Sequence, residues 1–247
     1  MLKVDGVEKA YRKGGFFSKE KEQVLAGISF ECGHGECLGI IGESGSGKST
    51  LGRLLLGIEK PDRGSVLFEG ESVTKRRGRN GRISAVFQDY TSSINPFYTV
   101  EAALMEPLRM MGMGKKEADS KLDFLLAQVG LDSSYRSKHP HELSGGQAQR
   151  VCIARAIATE PKCIVLDEAI SSLDGSVQMQ VLELLKDLRN TYRMGYIFIT
   201  HDLQAAAYLC DRVMIVRSGR VEETVSVEQL GNVQSAYAKK LLQTVML

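Results

Sequence analysis

The stretch GESGSGKST, residues 42–50, constrains this chain more than any other. It follows an apolar run, CLGII, and opens STLGRLLLGI, whose leucines recur at helical spacing. The order is therefore buried strand, glycine-rich loop, helix, the context in which G-x-x-x-x-G-K-[ST] binds phosphate. Gly42, Gly47, Lys48 and Ser49 occupy the motif positions, and Glu43, Ser44, Gly45, Ser46 and Thr50 complete the cradle. Glycines let backbone N–H groups approach the phosphate oxygens, and the helix N-terminus adds a positive dipole. Lys48 would reach the β and γ phosphates and the Ser49 hydroxyl would ligate Mg²⁺. A dinucleotide-binding G-x-G-x-x-G turn is excluded, because Thr50 stands where the third glycine would have to be.

The second half alternates apolar strands with helices. QAQRVCIARAIATE carries an apolar stripe and is expected to run to Pro161; CIVLD reads as a buried strand and residues 177–191 as a helix. YIFIT, LQAAAYLC and RVMIV follow as strand, helix and strand, then a turn into an edge strand at RSGRVEE and a terminal helix in SAYAKKLLQTVML. That alternation predicts an α/β fold with a parallel sheet. In the first half, VLAGISFECGHGECLGIIG reads as two short strands round a turn at Gly33–Gly35, with strands in KPDRGSVLFEG and ISAVFQ. Helical spacing holds from residue 99 to about 130. With 43% hydrophobic residues the chain can build a core, and a net charge of +2 offers no bulk electrostatic handle for nucleic acid or membrane. The basic loop TKRRGRNGR is expected to be a solvated surface. Five scattered cysteines with no CxxC pair are expected to be buried free thiols. Neither a signal peptide nor an apolar run of membrane-spanning length is found.

Two further motifs carry chemistry. CIVLDEA delivers Asp167 and Glu168 at the end of an apolar strand, where one carboxylate can serve the Mg²⁺ shell and the other can polarise a water. By itself such a pair is also an ordinary solvated strand end; after a phosphate loop it gains weight. LSGGQ, residues 143–147, is a second serine-and-glycine cradle with no lysine beside it.

A chain with two cradles and one lysine resembles the ATP-binding subunit of an ABC transporter, and the resemblance extends over nearly the whole sequence. It implies a P-loop NTPase with a RecA-like mixed-sheet core, an antiparallel β subdomain and a helical subdomain. It also implies a head-to-tail dimer in which LSGGQ binds the γ phosphate of the partner's ATP, so the partner brings the lysine. On this resemblance Ser144, Gly145, Gly146 and Gln147 form the signature, with Ser144 and Gly146 donating to phosphate. Gln88 in VFQD matches the glutamine loop that meets Mg²⁺ and water, and Asp174 in SSLD matches the loop that signals across the dimer. His201 in FITHD matches the histidine that holds the γ phosphate. Tyr11, otherwise a surface or core tyrosine, matches the aromatic that stacks on adenine. The implied catalytic set is Glu168, His201, Gln88 and Lys48, with Ser49, Gln88 and Asp167 toward Mg²⁺. His34, His139 and His141 are expected to be structural.

QDYTSSINP, HPHELSGGQAQRVCIARA and the insert KGGFFSKEKEQ are similar to the peptide/nickel importer branch. Ala169 stands where most relatives have proline, a variant similar to the nickel-import ATPase subunit. The branch implies nickel or another metal chelate as cargo, with di- or oligopeptides as the alternative; a soluble ABC ATPase of DNA repair or translation is disfavoured by the single cassette. Expected partners are two membrane-spanning permease subunits, a second ABC ATPase (a sibling or a copy of this chain) and an extracytoplasmic substrate-binding protein, with no nucleic acid. The expected location is the cytoplasmic face of the cell membrane. Residues 90 to about 113, with Tyr90, Ile94, Phe97 and Tyr98 near the start, are either the permease docking surface or ordinary core. The expected organisation is one ABC ATPase domain over 1–247. Residues about 1–88 and 161–231 form its nucleotide-binding core, about 89–160 its helical signature subdomain and 232–247 its terminal helix.

Overall fold

The structure is a computed structural model that describes residues 1–12, 20–75, 81–89 and 93–243. Most of the KGGFFSKEKEQ insert, most of the basic loop, Tyr90 and the last four residues lie outside the described residues. The chain divides into two compact units, Met1–Asn80 with Gly195–Leu247, and Gly81–Met194.

The first unit holds two sets of strands. β1 (Leu2–Arg12), β2 (Lys21–Cys32), β4 (Arg63–Phe68) and β5 (Glu71–Ser72) form an antiparallel sheet in the order β2-β1-β4-β5. The second set centres on β3 (Cys37–Ile41), which pairs in parallel with both β8 (Gly195–Thr200) and β9 (Arg212–Arg217). β10 (Arg220–Ser226) lies antiparallel on the outer side of β9. Every residue of β3 and β8 is buried, which is why both read as continuous apolar runs rather than alternating ones. The described residues of the unit also include the α-helices α1 (Lys48–Leu55), α6 (Leu203–Leu209) and α7 (Ala236–Gln243).

The second unit pairs β6 (Ile83–Phe87) in parallel with β7 (Cys163–Asp167). Around them are α2 (Val100–Met110), α3 (Lys115–Gln128), α4 (Gly145–Ile157) and α5 (Gly175–Tyr192). The Thr99 hydroxyl accepts from Ala102 N at 3.2 Å and caps α2, satisfying a donor the helix itself cannot. Arg136, in a short 3₁₀ turn, bonds Glu101 of α2 at 3.0 Å and both Asp119 and Asp123 of α3. One guanidinium thus ties two helices to the turn ahead of the signature, and its pKa is raised first of all by Asp119.

Three features depart from the sequence reading. β1 was not anticipated: its buried Leu2, Val4 and Val7 do not keep strict alternation, because the pairing with β2 shifts register between Val4 and Val7. β2 is a 12-residue strand rather than a short one, and β2 and β3, adjacent in sequence, belong to different sheets. α4 stops at Ile157, short of Pro161; the chain turns at Glu160, whose φ of 50° is left-handed, with Glu160 N bonded to Ile157 O.

Arg136→Met keeps the apolar stem and removes the fork. It should lower stability by about 1 kcal/mol at low ionic strength and by less at high salt, because all three carboxylates are solvent-accessible. Urea melts at the two salt concentrations check this.

Candidate nucleotide-binding site

The phosphate loop leaves the end of β3 and enters α1 through Gly47, whose φ is 100°. A Cβ there would lie 2.7 Å from Leu25 Cδ2 and 2.8 Å from Val24 O, so both backbone conformation and space demand glycine. Lys48 is only 5% exposed. Its Nζ donates to Gly42 O at 2.8 Å and Glu43 O at 2.9 Å, so a buried ammonium faces carbonyls of its own loop. Ser46 is also buried, and among the described residues its Oγ has no hydrogen-bond partner. Ser49 is exposed in the first turn of α1, while Thr50 is buried and accepts from Arg53 Nη2 at 3.2 Å.

These observations test whether a nucleotide fits. A concave loop with a buried lysine, an unpartnered buried hydroxyl and an exposed hydroxyl at the helix start has the donors that an Mg²⁺-bound polyphosphate takes up. Glu43, Ser44 and Gly45 form the exposed rim of the same loop.

The first unit also holds Tyr11 and His201. Tyr11, next to last in β1, is half-buried, and its hydroxyl donates to Glu59 Oε2 at 2.5 Å. Glu59 in turn accepts from Arg53 Nε at 2.6 Å, which connects the tyrosine to α1. The Tyr11 hydroxyl, and then Arg53, hold the Glu59 carboxyl below the usual carboxylate range. This link was not read from the sequence, since nothing in the spacing of residues 11, 53 and 59 announces it. His201 is exposed immediately after β8. Asp202 fixes the chain there: its Oδ1 caps α6 through Gln204 N at 2.8 Å and Ala205 N at 3.0 Å.

The second unit carries the carboxylates and the signature. Phe87 and Asp167 are register partners in the β6–β7 ladder, so Gln88 and Glu168, one residue further on, leave neighbouring strands at the same end. Gln88 is exposed. Glu168 has φ 49°, the left-handed region that a residue with a Cβ seldom adopts. The turn is held by Ser171, whose N and Oγ both donate to Glu168 O, at 3.2 and 2.9 Å. Ala169 and Ile170 anchor it by burial at 2% and 0% exposure.

Ser144 is the N-cap of α4. Its Oγ accepts from Gln147 N at 3.3 Å, and Gln147 Oε1 accepts from Ser144 N at 3.0 Å. This reciprocal box holds the start of the helix, and Gln147 Nε2 also donates to the Tyr135 hydroxyl at 2.9 Å. Gly145 begins α4, and at Gly146 a Cβ would come within 2.5 Å of Val177 Cγ1, so α5 packs directly on the signature turn. Asp174 stands at the N-cap position of α5 but is exposed and makes no side-chain cap bond. His139 and His141 stack at 5.6 Å, and Glu142 Oε2 accepts from His139 N at 2.6 Å just ahead of the signature. The five cysteines are buried and form no disulfide, and burial pushes the Cys32 and Cys152 thiols up to about 12.

Residues 25–171 match the ABC transporter family. The chain is 48% identical over 244 residues to the metal-staphylopine import system ATP-binding protein CntF of Staphylococcus aureus (strain NCTC 8325 / PS 47), covering 98% of each chain. It is 41% identical to the nickel import ATP-binding protein NikE of Escherichia coli (strain K12), covering 100% of this chain and 94% of that one. Among solved structures, a dimeric post-hydrolysis state of the ATP-binding cassette MJ0796 bound to ADP and Pi superposes with a TM-score of 0.82. It is 28% identical and covers 92% of this chain and 99% of the cassette. Phosphate loop, strand-end carboxylates, capped signature and these likenesses agree, and the chain belongs to the ABC transporter family.

Proposed function

We propose that this chain hydrolyses ATP to drive an importer of transition metal carried as a chelate. The observation that carries the reading is the loop holding a buried Lys48 beside an unpartnered Ser46 Oγ, in a chain similar over 98% of its length to a metal-staphylopine import ATP-binding protein. The nickel import protein is the second support for a metal rather than a peptide cargo.

In this reading residues 42–50 enclose the phosphates, and Lys48 exchanges the carbonyls of Gly42 and Glu43 for the β and γ oxygens. Ser49, Gln88 and Asp167 would hold Mg²⁺, which would supply charge neutralisation of the phosphates. The Glu168 carboxylate accepts the proton of the attacking water, and its fixed turn orients it for that role. His201 and Lys48 stabilise charge on the transferring phosphoryl group, and Tyr11 stacks on the adenine. The signature residues Ser144, Gly145, Gly146 and Gln147 serve the nucleotide of a second ATPase subunit, and Asp174 reports across that interface. Their capped, preformed geometry supports a site that is complete only when another chain supplies its lysine.

We further assign the chain to one ABC ATPase domain over 1–247, with a nucleotide core at about 1–88 and 161–231, a helical part at about 89–160 and a terminal helix at 232–247. The partner ATPase is a sibling rather than a copy, by likeness to the peptide/nickel branch. Two permease subunits dock on residues 90–113, and an extracytoplasmic binding protein delivers the cargo. Phe97 at 86% exposure and Met110 at 76% support an apolar docking face there. No described helix is long and apolar enough to cross a membrane, so attachment at the cytoplasmic face would come through those permeases.

Glu168→Gln should lower ATP turnover by about 10²–10⁴-fold, the range of general base catalysis, while nucleotide binding persists. Steady-state turnover and nucleotide-affinity measurements check it, and wild-type turnover in the variant refutes the assignment of the base. Deleting the gene should abolish uptake of chelated metal and spare di- and oligopeptide uptake. Radiolabelled uptake of both cargo classes distinguishes them, and loss of peptide uptake alone refutes the metal reading.

A further inference from the structure

We infer that Tyr237 of the terminal helix α7 is a positioning residue for the phosphate loop; this rests on the ATPase reading above. The Tyr237 hydroxyl accepts a hydrogen bond from Glu43 N at 3.2 Å. Glu43 N belongs to the same peptide group as Gly42 O, which accepts from Lys48 Nζ at 2.8 Å. One peptide plane of the loop is therefore held at both ends, its N–H by a side chain about 190 residues away in sequence and its carbonyl by the motif lysine. When Lys48 turns to phosphate the carbonyl end is released, and Tyr237 is what keeps this peptide from rotating with it.

The tyrosine is itself fixed. It is 8% exposed, and the Arg217 guanidinium lies 4.8 Å over its ring. Arg217 ends β9, and the turn that follows braces the loop a second time: Gly219 N donates to Ser46 O at 3.0 Å. A Cβ at Gly42 would lie 2.1 Å from Val216 O, so the loop's first residue is packed on the same segment. The C-terminal part of the first unit thus meets the phosphate loop at Gly42, Glu43 and Ser46. The bracing residues Val216, Arg217, Gly219 and Tyr237 lie beyond the 25–171 stretch that matches the family, so no motif of that stretch contains them.

The test is Tyr237→Phe in the full-length chain, which keeps the ring and its stack on Arg217 and removes only the acceptor. ATP affinity is measured by calorimetry, turnover by phosphate release, and exchange of the Glu43 amide by hydrogen–deuterium mass spectrometry. The expected result is a 2- to 10-fold weaker ATP affinity, the size of one hydrogen bond, with KM rising more than kcat falls and faster exchange at residues 42–46. Thermal stability is expected to stay within about 2 °C, which separates positioning from a folding defect. Arg217→Gln, which loosens the tyrosine without touching its hydroxyl, should move affinity in the same direction by less. Wild-type affinity and exchange in Tyr237→Phe overturn the inference, as does a loss of affinity matched by a general loss of stability. Wild-type protein that binds ATP without turning it over refutes the ATPase reading alone; wild-type protein that binds none refutes both.

Discussion

A buried ammonium with two carbonyl acceptors is the interaction on which the rest of the site depends. Lys48 Nζ donates to Gly42 O and Glu43 O in a position from which water is largely excluded. An unpaired charge at that depth would cost several kcal/mol. The loop's curvature supplies the carbonyls, Gly47's left-handed turn supplies the curvature, and burial of β3 between β8 and β9 supplies the rigid end from which the loop springs. Arrangement and electrostatics are thus one problem solved once.

The second unit solves a different problem, that of holding half-buried and exposed groups still. Glu168 is kept in a left-handed turn by Ser171 and by the burial of Ala169 and Ile170. The signature is kept by a reciprocal Ser144–Gln147 cap, and Val177 of α5 packs on the turn at Gly146. In both places local hydrogen bonds and packing carry the cost of the geometry. The terminal helix extends this principle to the phosphate loop through Tyr237.

The local structure around these motifs is legible because it is written in contiguous residues. GESGSGKST, CIVLDEA and LSGGQ each announce a strand, a loop or a cap by composition alone, and the buried strands β3, β7 and β8 announce themselves as unbroken apolar runs. β1 was missed because its bulges break the alternation that marks a strand. The separation of β2 and β3 into different sheets was missed because a short polar turn looks the same whether it closes a hairpin or connects two layers.

What the sequence by itself determined is the kind of chemistry: a lysine and hydroxyls at a helix start, two carboxylates at a strand end, and a second cradle without a lysine. Only the tertiary structure decided what supports them. Tyr11 reaches Arg53 through Glu59, Arg136 collects acids from two helices, and Tyr237 reaches Glu43 across most of the chain. The physical reason is the range of the interactions. Backbone conformation and capping act over a few residues and leave a pattern in the sequence, whereas side-chain hydrogen bonds between distant residues leave none, since any tyrosine or glutamate reads alike until the fold brings its partner within 3 Å.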